Sequence, residues 1–305
     1  MNRLEASISL FFITFFAAVQ YVFLIWVPES VPHFAFLCIT NLIGFTISLA
    51  FFFGELFRLD VHQVKQSMVL SAQLIGFNLF LLMGVSGLGP SMTNAVLSTN
   101  FVFIAAIMFL EYKQIPDKCT FIGMFTVFAG LLLMSEARVS DFMNINIIYL
   151  MASNIAFAFY IFSVGKYSSS SNPSIIAMGQ MFFCFVFSLV LWIGEVIVKG
   201  VSFTLPVNPE FWGSVIYISF FIRGLYGIIQ VYAQRYVSPL NTSLIFSTEI
   251  IMTMAVSPLL SEFLGTPPDI ITWPRIIGGV VIVLGIMMTE PQFFALVRRL
   301  VIREK

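Results

Sequence analysis

The sequence predicts an all-α integral membrane protein in which ten transmembrane helices form two inverted five-helix repeats. Three observations carry this. Of 305 residues, 59% are hydrophobic and only 10% charged, against roughly 25% charged in ordinary globular chains. So few charges cannot solvate a surface, and most of it must face lipid. Apolar runs of about 20 residues, the length that crosses a bilayer, recur between short polar breaks. A series of landmarks in the first half also returns in the same order in the second.

The first run, 6–27, is too long for the apolar core of a signal peptide and has no cleavage site, so it reads as a retained span. Further helices are expected at 32–54, 66–88, 91–110, 118–136, 144–165, 174–198, 211–234, 239–261 and 272–290. Several breaks carry turn chemistry: Pro28 with Pro32, Gly87 to Pro90, 168–173, Pro206 with Pro209, and Gly265 to Pro268. The first repeat covers 1–136 and the second 144–290. Residues 291–305 form a basic tail, expected in the cytoplasm.

The repeated landmarks are specific. Pro90 is followed eight residues on by Ser98-Thr99 and then Asn100; Pro239 is followed likewise by Ser247-Thr248 and then Glu249. Each copy runs on to a glutamate, Glu111 or Glu262, with a proline five residues beyond it. Each then carries a Gly-x6-Gly pair, Gly123/Gly130 and Gly278/Gly285. Five helices per copy is an odd number, so the second copy enters the membrane from the opposite side to the first.

Orientation follows from Lys and Arg. With the N-terminus inside, eleven of the fifteen basic residues lie on the inner side and three on the outer, while Arg223 stays within the membrane. Both termini are therefore expected in the cytoplasm. Trp26, Trp192, Trp212 and Trp273 all fall towards outer helix ends, where amphipathic rings favour the interface.

These features together resemble the drug/metabolite transporter superfamily, EamA type: ten helices, two five-helix halves, and in each an apolar helix, a Glu, a short loop and a Gly-containing helix. The chain keeps Glu249 of the Glu-Pro pair common in the ninth helix of that family. It has Ile250 in place of the proline, and Asn41 where an arginine is common in the second helix. The resemblance implies a secondary transporter that exports a small organic metabolite or drug across the cell (inner) membrane by alternating access. A nucleotide-sugar exchanger and a flippase for a lipid-linked substrate are the alternatives within the superfamily.

Charges at membrane depth cost about 2.5–3.5 kcal/mol each, so each needs a reason. Only Arg223 and Glu249 are clearly central. At 1.5 Å per residue they lie roughly 18 and 15 Å deep, and Asn100 reaches a similar depth from the opposite side. Arg223 would bind a carboxylate or phosphate, or hold Glu249. Glu249 would bind a cationic group or carry the coupling proton. A structural ion pair between the eighth and ninth helices is the plainer reading. Arg223, Tyr226, Gln230 and Gln234 fall on one α-helical face, and the first three join Glu249 and Asn100 as candidate substrate-binding residues. Gln20, Asn41, Gln73, Asn78, Asn154, Tyr160 and Gln180 are read singly as interhelical hydrogen-bonding groups. Most of the 36 phenylalanines are expected to face lipid, with an aromatic-lined pocket for flat or cationic substrates as the alternative.

Other classes find little support. Ser86 sits in a Gly84-Val85-Ser86-Gly87 string, but the two histidines, His33 and His62, lie at helix ends on opposite sides, so a serine enzyme lacks its base. All four aspartates are in loops, and no HExxH, P-loop or GxGxxG occurs. Cys38, Cys119 and Cys184 lack metal-ligand spacing and read as small apolar residues. No catalytic residue, metal or cofactor is expected. Zero net charge gives no reason for a nucleic-acid partner. The expected partners are a small-molecule substrate and membrane lipid, with a homo-oligomer left open.

Overall fold

A computed structural model of the chain describes residues 1–24, 26–28, 30–58, 60–85, 90–113, 115–135, 144–200, 206, 208–264 and 272–289. Every regular element among them is helical. Among the described residues six helices are long and apolar enough to cross a membrane, and three apolar helices are shorter.

The long helices are α1 (Arg3–Leu24), α2 (His33–Phe52), α3 (Val61–Val85), and, past a broken stretch, α7 (Ile145–Ser170) and α8 (Pro173–Lys199). Their ends have local causes. Asn144 caps α7 by accepting from the Asn146 amide at 3.0 Å. Asn172 caps α8 the same way through Ser174, with Pro173 in the first turn, where its missing N–H costs nothing. Gly200 closes α8 in the left-handed conformation (φ 62°).

The expected fourth and ninth helices are each broken in two. Pro90–Leu97 (α4) stops, and Asn100–Tyr112 (α5) starts after Ser98-Thr99. The second break puts Ser247-Thr248 between α11 (Pro239–Phe246) and α12 (Glu249–Leu264). The same local bonds mark both breaks. The Thr99 hydroxyl donates to the Val96 carbonyl at 2.7 Å, and the Thr248 hydroxyl to Ile245 at 2.7 Å. The amides of both threonines take those same carbonyls three residues back, which tightens the turn and ends the regular winding. The expected eighth helix is α-helical as α9 (Pro209–Tyr217), winds as a π-helix over Ile218–Tyr226, and resumes as α10 (Gly227–Ala233). α6 (Lys118–Ser135) and α13 (Trp273–Thr289) complete the bundle.

Packing pairs the elements across the chain. α2 lies along α8, and α6 along α13. α3 packs on α7 and α8, while the π segment packs on α1 and α2. α4 and α5 pack on α7, while α11 and α12 pack on α1. The α6–α13 seam is backbone against backbone. A Cβ at Gly130 would lie 2.7 Å from the Gly278 carbonyl, and one at Gly285 would lie 2.9 Å from that of Gly123. The repeated Gly-x6-Gly pairs thus meet each other, antiparallel. In lipid, where apolar burial drives nothing, this close approach is a main source of helix–helix affinity.

Three polar assignments from sequence resolve as interhelical bonds. Asn41 donates to the Cys184 carbonyl, Gln73 to Ser163, and Asn154 to the Val96 carbonyl and the Thr99 hydroxyl. Glu111 pairs with Lys166 of α7 at 2.7 Å. The side chain of Glu262, the residue Ser86, and the tail 291–305 lie outside the described residues.

Candidate functional site

The two broken helices cross where they break. The Ser247 hydroxyl donates to the Ser98 carbonyl at 3.0 Å. On either side the Asn94 amide donates to Thr253 at 2.7 Å, and the Ser243 hydroxyl donates to Asn100. These contacts satisfy buried groups that a helix end would otherwise leave orphaned. The N-termini of α5 and α12, begun by Asn100 and Glu249, both open on the space beside the crossing.

That space is a cavity lined by side chains of α1, α3, α4, α5, α7, α8, the π segment, α10, α11 and α12. All five residues expected at the site, Arg223, Glu249, Asn100, Tyr226 and Gln230, line it. Gln234 does not; it is buried and donates to the Ile161 carbonyl at 3.4 Å. It keeps the face of Gln230, whose amide donates to it at 3.5 Å, but lies one turn farther along the helix, past the lining.

Arg223 and Glu249 share the cavity, but they form no ion pair. The π segment sets Arg223 against α2, where a Cβ on Gly44 would overlap the arginine's own Cβ. From there the guanidinium reaches α3, donating from Nη2 to Asn78 Oδ1 at 2.9 Å. Arg223 is only 7% exposed and has no acidic partner among the described residues. Its Nε has no hydrogen-bond partner there either. A buried cation held by one neutral amide is expensive unless something else supplies acceptors. Asn78→Leu is therefore expected to lower the thermal midpoint of the detergent-purified protein, by about 1–3 kcal/mol in stability. Adding Arg223→Met to Asn78→Leu should recover much of that loss.

Four residues read singly as helix glue also line the cavity: Gln20, Asn78, Tyr160 and Gln180. The Gln180 amide donates to the Tyr160 hydroxyl at 3.0 Å, and both side chains are fully buried. Asn94 and Ser98, also on the lining, were not singled out. Ser98 had a signal, its place in the repeated landmark series; Asn94 had none. An aromatic wall completes the cavity: Phe77, Phe157, Tyr160, Phe246 and Tyr226. Phe157 lies near-parallel to Phe77 at 4.5 Å (26°), to Tyr160 at 5.9 Å (16°) and to Phe246 at 6.3 Å (19°).

Apolar helices long enough to span, wrapped round a buried polar cavity, define a multi-pass helical membrane protein. Residues 144–290 match the EamA-like transporter family, part of the drug/metabolite transporter superfamily. No curated protein matches the chain. A solved structure described only as the crystal structure of a protein is 15% identical, covering 98% of this chain and 99% of its own, with a TM-score of 0.71. That likeness is one of fold.

Proposed function

We propose that the protein is a secondary transporter that exports a small organic solute across the cytoplasmic membrane by alternating access. The observation that carries this is the cavity itself: both intramembrane charges line it, at the crossing of two discontinuous helices drawn from opposite halves of the chain. Discontinuous helices at such a crossing are how inverted-repeat transporters place a binding site near the membrane midplane.

The packing supports ten spans in two inverted halves. Numbered by expected span, the third helix packs on the sixth and seventh, and the eighth packs on the first and second. The fourth packs on the sixth as the ninth packs on the first. The second meets its own counterpart, the seventh, and the fifth meets the tenth antiparallel. Exchanging the halves leaves this scheme unchanged, as an inverted two-fold requires. The distribution of Lys and Arg supports cytoplasmic termini. Glu249, within the cavity and at the start of a half-helix, is our assignment for the coupling proton.

Reconstitution into liposomes tests the proposal. Labelled amino acids, aromatic acids, polyamines and nucleotide sugars are offered in counterflow, with and without a pH gradient. At least one should move saturably, and Gln20→Trp, which fills the cavity from α1, should stop it. Saturable movement that survives Gln20→Trp in a folded variant would take the pathway away from this cavity.

A further inference from the structure

The rings on the cavity wall are not lipid-facing bulk. Phe51, Phe57, Phe121 and Phe125 are 62–78% exposed on the outside of the bundle. By contrast, Tyr160 and Phe246 are buried, and Phe77, Phe157 and Tyr226 turn towards the cavity. They come from α3, α7, the π segment and α11, so four elements converge to build one aromatic surface. Phe157 is its centre, with three near-parallel neighbours, and Tyr226 joins through Phe246 at 5.6 Å. A wall of aligned rings favours a flat ring that stacks on it or meets its edges.

The other end of the cavity has different chemistry. Arg223 is buried, holds one neutral partner, and has further donors in its planar fork. A carboxylate matches that fork in geometry. A doubly charged phosphate is the poorer fit, because Glu249 lines the same space and would repel it.

We infer that the solute is a flat aromatic molecule bearing a carboxylate, its ring on the Phe77–Phe157–Phe246 wall and its carboxylate on Arg223. This rests on the central cavity being the transport site. An amine elsewhere on such a solute would fall to Glu249, which makes aromatic zwitterions the better ligands within the class.

Three probes isolate the two features: 3-phenylpropionate, its saturated match 3-cyclohexylpropionate, and the uncharged 3-phenylpropionamide. Binding is read by calorimetry on purified protein and movement by counterflow. The aromatic acid should bind roughly threefold to tenfold more tightly than the cyclohexyl acid, and roughly tenfold to a hundredfold more tightly than the amide. Arg223→Gln should erase the acid–amide difference and keep the ring preference. Phe157→Leu should do the reverse. Arg223→Lys, which keeps the charge without the fork, should recover part of the acid preference and so separate ligand binding from a folding defect. Equal binding of the cyclohexyl acid or of the amide overturns the inference. So does saturable movement of polyamines or nucleotide sugars with none of the aromatic acid, though the transporter reading then stands. Failure of every solute to move would sink both.

Discussion

Glu249→Gln is expected to abolish solute accumulation driven by a pH gradient, while downhill counterflow stays within a few-fold of the parent. Glu249 is the first residue of α12, where a half-helix N-terminus favours a carboxylate or an amide oxygen. Gln keeps the length and the acceptor of the side chain and removes only its ability to take up and release a proton. The chain already places an amide at the matching position: Asn100 begins α5 as Glu249 begins α12. The fold should therefore tolerate the change. Removing a charge from membrane depth also relieves an insertion cost of about 2.5–3.5 kcal/mol. Liposome assays with and without an imposed gradient separate the two modes. Equal loss of both modes, or a protein that no longer accumulates, would make Glu249 a structural residue.

Gly130→Leu should have the largest effect on stability. The first atom of any side chain there would come within 2.7 Å of the Gly278 carbonyl and 2.8 Å of Ile282. Both are part of α13, and the backbone carbonyl has no rotamer by which to retreat. The helices must separate along the seam, losing dispersion contacts that nothing in lipid replaces. Overpacking of this kind costs about 3 kcal/mol or more. Gly285→Leu, against Val127 and the Gly123 carbonyl, should behave alike because it probes the mirrored contact. Gly194→Leu is the control, since a Cβ there meets nothing within 4 Å. Accumulation in the membrane and the thermal midpoint in detergent read all three. Equal behaviour of the Gly130 and Gly194 variants would show that the seam is not close-packed.

The landmarks legible in the sequence are those that act on the backbone directly. Pro90 and Pro239 begin short helices, and the Gly-x6-Gly pairs mark a close approach. Their order locates the related stretches without any contact being known. The Ser-Thr pairs were visible too, but not their consequence. A hydroxyl inside an apolar run more often bonds back within a continuous helix, and only the crossing partner stabilises a break. Depth is what counting residues can suggest, and the two residues so placed, Arg223 and Glu249, both line the cavity. Direction around the helix is not readable that way. The π turns that carry Arg223 set it against α2, from where its guanidinium reaches Asn78 instead of Glu249. The aromatic wall was hidden by abundance: with 36 phenylalanines in the chain, the few that line the cavity carry no mark of their own.

The seam between α6 and α13 bears on how the chain holds together. Among the described residues, each makes its most extensive contact with the other. α2 and α8, α3 and α7, and the crossing at Ser98 and Ser247 also tie one half to the other. The stretch that joins 135 to 144 is thus one of many links between the N-terminal and C-terminal parts of the chain. Two polypeptides, divided in that stretch and made in the same membrane, would carry all of these contacts between them.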